Sequence, residues 1–265
     1  MKYKYILISA LLLVGIMFSV VIFYRLDPAV LTRLSFYVDL ANPRVKVVQV
    51  REGLRKEEVA EVVGEKLGWD DTEKQDFLKI HLAYNSADHE GRYFPKTYLI
   101  DKNEEPLEVS AVMLEEFEKQ TEKIEESSEA SKKIDGETAL KIASIIQREA
   151  GGKGDMRLIS GIIWNRINKG MKLQLDATLQ YAKGSVVEGW WPRVRPEDKK
   201  IKSDYNTYLF KGLPPGAIAN PGPDALLAAY HPQKTDCLFY LHDKKRKIHC
   251  SKTYEEHKNK IAIYY

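Results

Sequence analysis

The feature that most constrains this chain is an uncharged apolar run of nineteen residues near its N-terminus. The run covers residues 6–24, follows Lys2 and Lys4, and ends at Arg25. A helix of about 20 apolar residues spans the hydrocarbon core of a bilayer. A cleaved signal peptide would have a shorter apolar stretch and small residues at its cleavage site, whereas this run ends in bulky side chains. The sequence therefore predicts an uncleaved membrane anchor over residues 1–26.

The composition excludes several classes of protein. The 265 residues include 41 Lys and Arg and 38 Asp and Glu, which gives a net charge of +3, without the basic excess of a dedicated nucleic-acid-binding protein. The sequence has no nucleotide-binding, serine-hydrolase or zinc-protease motif, and its six histidines form no i, i+4 pair. We therefore expect no nucleic-acid partner, no metal site and no cofactor.

Apolar spacing and charge predict an α+β fold in two parts. A connector over residues 27–44 precedes a β-branched run at residues 45–50, two helical patterns and a second strand, which together predict a small α+β module over residues 45–103. Residues 101–137 carry thirteen acidic and five basic side chains. Residues 104–134 are therefore predicted to be a solvated acidic helix and linker.

Residues 135–265 form the predicted second domain. Asp135 is suited to cap a helix that runs to Ala150, and another helix is expected over residues 155–169. Residues 171–220 are rich in Tyr, Trp, Pro and Asn, and a long irregular segment of this kind commonly forms a binding surface. A short helix at residues 225–230 and a hairpin of residues 238–241 and 248–251 follow.

Two cysteines flank the turn of this predicted hairpin. Cys237 and Cys250 could oppose each other across the two strands. The sequence leaves open whether they form a disulfide or remain buried free thiols.

Glu149 is the strongest candidate for a catalytic group. It follows Ile142, Ile145 and Ile146 by seven, four and three residues, which places its carboxylate on their apolar face in the last turn of the helix. Burial and the negative end of the helix dipole both raise the pKa of a carboxyl group. A raised pKa suits a general acid, although the spacing equally allows a solvated or ion-paired glutamate.

The loop segment at residues 203–222 has a composition that suits a carbohydrate. It contains Tyr, Asn, Pro and Gly in close succession. Tyrosine rings offer flat apolar faces and amides offer hydrogen bonds, a combination that fits sugar rings. The alternative is a purely structural loop.

Several motifs resemble those of the endolytic murein transglycosylases, the YceG-like family. The resemblance covers most of residues 140–260 and extends more weakly through EGRYFPKTY at residues 90–98 of the first module. The motifs are IASIIQREAG (142–151), NRINKGMKLQLDATLQYAKG (165–184), YNTYLFKGLPPGAIANPG (205–222), AAYHPQKTD (228–236) and YEEHK (254–258).

The resemblance implies a LysM-like module over residues 45–103 and a lytic transglycosylase catalytic domain over residues 135–265. The catalytic glutamate of the family falls on Glu149. Two departures are Gln147, where the family has an acidic residue, and residues 248–250, where the family has a His-Thr-Phe type sequence.

The same resemblance implies a mechanism with one carboxylate. Glu149 would protonate the leaving glycosidic oxygen and then accept a proton from the C6 hydroxyl of N-acetylmuramic acid, which closes a 1,6-anhydro ring. Asp176 would orient a neighbour, with a capping or salt-bridge role as the alternative. The other candidate substrate contacts are the amides of Asn165, Gln174, Asn206 and Asn220, and the rings of Tyr205 and Tyr208.

The implied partners are the glycan strands of peptidoglycan, the cytoplasmic membrane and peptidoglycan synthases, with strand elongation terminated by cleavage. A catalytically silent, membrane-tethered peptidoglycan-binding protein is the alternative, and Glu149 argues against it. A lyase acting on aminodeoxychorismate would be a cytosolic enzyme, and the apolar run argues against that.

We predict a cytoplasmic N-terminus, with the residues beyond about 27 on the outer side of the cytoplasmic membrane. Residues 6–24 are long enough for one span, and the substrate that the resemblance implies lies outside that membrane. Reporters fused after Tyr265 measure this directly. A reporter that works only outside the cytoplasm should be active, and activity restricted to a cytoplasmic reporter would contradict the topology.

Overall fold

The computed structural model describes residues 41–79, 89–126 and 134–265. The predicted anchor and residues 27–40 of the predicted connector lie outside these ranges. Within them, no helix is both long and apolar enough to cross a bilayer. The α-helices and strands of these ranges, in chain order, are β1 (Val45–Gln49), α1 (Lys56–Leu67), α2 (Asp71–Leu78), β2 (Thr97–Asp101), α3 (Pro106–Glu126), α4 (Gly136–Glu149), α5 (Lys153–Asn168), α6 (Asp176–Lys183), α7 (Pro223–Tyr230), β3 (Phe239–His242), β4 (Ile248–Ser251) and α8 (Tyr254–Tyr264).

The first module has the predicted strand, helix, helix, strand order. β1 pairs with β2 in antiparallel fashion, with Val45 opposite Asp101. α1 is followed by Gly68, whose φ of 81° is left-handed, a conformation that glycine adopts without steric cost. The core of this module includes Val48, Val59, Val63, Phe77, Tyr93 and Met113.

The acidic helix α3 joins the two parts of the protein. It buries Val109 and Met113 in the core of the first module and Phe117 in the core of the second domain. Its 21 residues extend over about 30 Å, which is long enough to serve both cores. The acidic helix is therefore a packed element as well as a solvated one.

The central element of the second domain is α4, which confirms the predicted helix. The Asp135 side chain accepts a hydrogen bond from the Thr138 N–H at 2.9 Å and caps the helix. Ile142, Ile145 and Ile146 are fully buried, with α5 and α7 packed against them. This apolar face ends at Glu149, the last residue of the helix.

Two helices differ from the sequence prediction. α6 lies inside the segment that was expected to be irregular. It has only eight residues, and no side chain at its N-cap, Leu175, caps it, so neither length nor a local cap signal marks it in the sequence. α8 contributes no buried residue, so it lacks the apolar stripe on which a helix prediction depends.

The predicted hairpin is formed by β3 and β4, with Phe239 opposite Ser251 and His242 opposite Ile248. Cys237 and Cys250 form a disulfide, with their Cα atoms 5.8 Å apart. Of the two possibilities that the sequence left open, a disulfide and two free thiols, the structure has the disulfide.

Asn220 connects the second domain to the first module. Its side chain accepts a hydrogen bond from the Tyr93 N–H at 2.7 Å and donates one to the Leu54 carbonyl at 2.8 Å. Its backbone exchanges hydrogen bonds with Gly53 and Leu54, both at 2.8 Å. The side chain is fully buried, so the amide has no access to solvent and serves this junction.

We predict that Asn220→Ala lowers the free energy of unfolding by about 1–3 kcal/mol, because it leaves the buried Tyr93 N–H without its acceptor. Urea unfolding of both proteins measures the difference. Asn259→Ala, at an exposed position of α8, is the control and should change stability by less than about 0.5 kcal/mol. Equal effects of the two substitutions would contradict the structural role of Asn220.

Candidate active site

The carboxylate of Glu149 lies where α4, α6 and β3 meet. Its Oε1 accepts a hydrogen bond from the backbone N–H of Ala177 at 3.1 Å. Its Oε2 accepts one from the hydroxyl of Tyr240 at 2.8 Å. Each carboxylate oxygen therefore has one donor, and each donor comes from a different element.

Glu149 acts as the missing cap of α6. Ala177 is the second residue of that helix, and no local side chain caps its N-terminus. The free N–H groups at a helix N-terminus favour a nearby negative charge. The sequence placed Glu149 only at the negative end of α4, whereas the structure also places it at the positive end of α6.

The pKa of Glu149 is raised above the ordinary range of a glutamate. The first cause is burial of the carboxyl group, and the nearby negative charge of Asp176 adds to it. The hydrogen bonds from Tyr240 and Ala177 act in the opposite direction because they stabilise the charged form. The result is a carboxyl group that retains its proton more strongly than usual and has two donors ready for the anion.

Asp176 accepts a hydrogen bond from a neighbouring side chain. The Tyr208 hydroxyl donates a hydrogen bond to Asp176 Oδ1 at 2.6 Å. Burial, followed by this contact with Asp176, raises the pKa of Tyr208 well above its ordinary value. Gln174 lies two residues before Asp176 with an exposed side chain and a left-handed φ of 51°, and its N–H donates to the Thr207 carbonyl at 3.1 Å. Gln174, Asp176 and Tyr208 are thus brought together at the start of α6.

The other predicted contacts serve the scaffold of the site. Asn206 and Asn220 are fully buried, so neither amide is open to a ligand in this structure. Asn206 donates to the carbonyls of Lys199 and Ile201 at 3.2 and 2.8 Å. Tyr205 is half-buried, with its ring centroid 4.7 Å from that of Tyr181.

Asn165 is also used internally. Its amide nitrogen donates to the carbonyls of Thr235 and Cys237 at 2.8 and 3.0 Å. These bonds attach α5 to the segment that leads into β3. The side chain predicted to hold a sugar therefore holds part of the protein backbone.

Sequence reasoning missed the contribution of β3. Tyr240 and His242 are two residues apart along β3, so their side chains lie on the same face of the strand. His242 Nε2 lies 3.1 Å from Asp155 Oδ2 and 3.3 Å from the backbone nitrogen of Gly151, and a charged imidazole there favours the ionised form of Glu149. The predicted hairpin already implied that Tyr240 and His242 share a face, but the sequence did not show that this face meets Glu149.

Gly151 allows the turn after α4 to approach this hairpin closely. A Cβ at this position would lie 2.7 Å from the Arg246 carbonyl oxygen and 2.8 Å from Asp155 Oδ2. Both distances are shorter than a Cβ contact tolerates. The glycine therefore permits the approach that brings β3 to the end of α4.

The site has the groups for acid and base chemistry. Within the described ranges, no cluster of three or more His, Cys, Asp or Glu side chains could hold a metal ion. Glu149 can release a proton to a ligand and become an anion that Ala177 and Tyr240 stabilise. Asp176 already accepts the Tyr208 hydroxyl.

Comparisons with known proteins agree on one family. The model of the YceG-like family matches residues 23–263. An endolytic murein transglycosylase of Bacillus subtilis is 39% identical over 171 residues, which are 63% of this chain and 46% of that protein. An endolytic murein transglycosylase of Streptococcus pneumoniae is 30% identical over 175 residues, which are 65% of this chain and 32% of that protein. The match therefore spans less than half the length of these curated relatives.

A solved structure extends the similarity to the fold. The crystal structure of a YceG-like protein from Listeria monocytogenes superposes with a TM-score of 0.70 at 27% sequence identity. The match covers 80% of this chain and 74% of that chain.

We predict that the stability of Glu149→Gln relative to wild type increases from acidic to neutral pH. The folded state holds the Glu149 proton more tightly than the unfolded state, since its pKa is raised. The wild type therefore loses stability relative to the variant as pH rises from the ordinary glutamate pKa to the raised one, and the difference is constant above it.

Thermal unfolding of the two proteins between pH 4 and pH 8 measures this difference. Ser160→Ala, a buried substitution in α5 without a titrating group, is the control, and its difference from wild type should not vary with pH. A Glu149→Gln difference that is equally flat would contradict the raised pKa.

Proposed function

We propose, from the fact that this chain belongs to the YceG-like family, that it is an endolytic murein transglycosylase and that Glu149 is its catalytic acid and base. The observation that carries the proposal is the half-buried Glu149, with a raised pKa and a donor to each of its carboxylate oxygens. General acid catalysis needs a group that is protonated at the working pH and stable after it loses the proton.

The proposed reaction uses this one carboxyl group twice. Glu149 gives its proton to the glycosidic oxygen as the bond from C1 of N-acetylmuramic acid to that oxygen breaks. The C6 hydroxyl of the same sugar then attacks C1, and its proton passes to the Glu149 carboxylate. The proton balance closes without water, so a second carboxylate to activate water, as in hydrolytic glycosidases, is not needed.

Ala177 and Tyr240 would act at the intermediate stage. Between the two proton transfers Glu149 is an anion, and both donors are already in place to stabilise it. Donors that are fixed before the reaction avoid reorganisation when the charge forms. The tertiary structure thus supplies Glu149 with hydrogen-bond donors from α6 and β3 that the end of α4 does not offer.

We place the glycan beside the start of α6. Gln174 and Asp176 are exposed and Tyr208 is half-exposed, so their polar groups and one aromatic face are available to a sugar. The buried amides of Asn206 and Asn220 keep the adjoining loops in position. Asn165 holds the segment that leads into β3, and Tyr205 packs against Tyr181 of α6.

The proposed setting is the outer side of the cytoplasmic membrane. Residues 6–24 would anchor the chain, and the module at residues 45–103 would act as a LysM-like glycan-binding unit. The partners are nascent glycan strands, the membrane and the synthases that extend the strands. Cleavage within a strand would terminate its elongation.

Digestion of purified glycan strands by the full-length protein in detergent tests the proposal. Fragments should end in 1,6-anhydro-N-acetylmuramic acid, lighter by one water than a hydrolytic product, and long fragments should appear early. Glu149→Gln should reduce the rate by about 10²–10⁴-fold. Glu137→Gln, at the exposed first turn of the same helix, is the matched control and should cleave normally.

Three outcomes would overturn the proposal. A folded Glu149→Gln protein with wild-type activity would remove Glu149 from the mechanism. Reducing ends that carry the added water would indicate a hydrolase. Binding of strands without any cleavage would favour the non-catalytic alternative.

A further inference from the structure

Tyr240 reaches Glu149 from a hairpin that is too small to hold itself. β3 and β4 have four residues each, and an isolated two-stranded hairpin is marginally stable in water. The hydroxyl of Tyr240 nevertheless has to remain 2.8 Å from Glu149 Oε2. Support therefore has to come from outside the β3–β4 ladder: α8 packs on both strands, and a disulfide lies beside Tyr240.

The disulfide is placed to do this. Cys250 is the residue directly opposite Tyr240 in the β3–β4 register. Its sulfur is bonded to Cys237, which lies two residues before β3 begins. The covalent bond therefore ties the cross-strand partner of Tyr240 to the segment that leads into Tyr240's own strand.

That segment is in turn attached to α5. Asn165 donates to the Thr235 and Cys237 carbonyls, and Arg166 Nε donates to the Leu238 carbonyl at 2.5 Å. The Arg166 guanidinium also lies 4.9 Å from the ring centroid of Phe239. α5 packs against α4, the helix that carries Glu149. α5 therefore connects the segment before β3 to the helix that ends in Glu149.

We propose that the Cys237–Cys250 disulfide, anchored on α5 by Asn165 and Arg166, holds Tyr240 against Glu149, and that Tyr240 is a positioning residue whose effect depends on this bond. The proposal rests on the proposed role of Glu149. Reduction would add two electrons and two protons to the bond and give two thiols. A dithiol such as dithiothreitol supplies both and is oxidised to its cyclic disulfide.

The consequence for Glu149 has a definite sign. The Tyr240 hydroxyl favours the charged carboxylate. If the hairpin lets this hydroxyl move away, the pKa of Glu149 should rise further, and the Glu149 anion formed during the reaction should be less stable. The other charged or titratable groups that act on Glu149 are Asp176 of α6, His242 of β3, Arg148 of α4, Arg166 of α5 and Tyr208 of the loop after α6. None of these side chains is replaced in the substitutions below.

Four full-length proteins in detergent test the proposal: wild type, Tyr240→Phe, Cys237→Ala/Cys250→Ala, and the triple variant. The first measurement is an NMR titration of the Glu149 carboxyl carbon, which is identified by its absence in Glu149→Gln. Tyr240→Phe and the double cysteine variant should both raise the Glu149 pKa. The triple variant should match Tyr240→Phe, because the disulfide acts through that hydroxyl.

The second measurement is the pH profile of kcat/KM for glycan cleavage. Tyr240→Phe and the double cysteine variant should each move the alkaline limb of this profile to higher pH. Each should also lower kcat by about 10- to 100-fold, as expected for a lost hydrogen bond to a charged group. Val63→Ala, in the core of the first module, is a destabilised control and should keep the wild-type limb. Wild type treated with dithiothreitol replaces the double variant if the latter fails to fold.

The outcomes separate the two proposals. A wild-type Glu149 titration in the double cysteine variant, or a further change in the triple variant relative to Tyr240→Phe, would overturn the role of the disulfide. An unchanged titration in Tyr240→Phe would overturn the role of Tyr240. Absence of cleavage by wild type would overturn the proposed function, while the titration would still decide the positioning.

Discussion

The carboxylate of Glu149 is the contact on which the arrangement of the second domain depends. Glu149 is the last residue of α4. Its carboxylate caps the N-terminus of α6 by accepting a hydrogen bond from the Ala177 N–H, and it accepts another from the Tyr240 hydroxyl of β3. A buried carboxylate is costly unless its hydrogen-bonding capacity is satisfied. The same two contacts link α4 to α6, whose N-terminus has no local side-chain cap, and to β3.

This contact balances opposing electrostatic effects. Burial and the charge of Asp176 favour the protonated acid, whereas the N-terminus of α6 and the Tyr240 hydroxyl favour the anion. A group that transfers a proton in both directions benefits from a moderate preference in either form. An apolar residue at this position would avoid the burial of a charge but would leave the Ala177 N–H and the Tyr240 hydroxyl without their acceptor.

The amides of the second domain show how similar a binding surface and a scaffold look in sequence. Asn165, Asn206 and Asn220 all hydrogen bond to backbone carbonyls, and Asn220 also accepts a backbone N–H. Irregular segments leave many backbone groups without helix or strand partners, and buried groups of this kind must be satisfied. An asparagine in such a loop is thus required by the fold before any ligand is considered.

The sequence by itself determined the elements whose signals are local. The apolar face of α4, its Asp135 cap, the strands of the first module, the hairpin and the position of Glu149 at the end of that face all follow from spacing along one chain segment. Only the tertiary structure decided the rest. α6 has no local cap because Glu149 caps it from 28 residues away in sequence, and Tyr240 is 91 residues from the carboxylate it serves. The periodicity of one segment places a side chain on a face, but which faces meet depends on how distant segments pack, and that information is not contained in either segment alone.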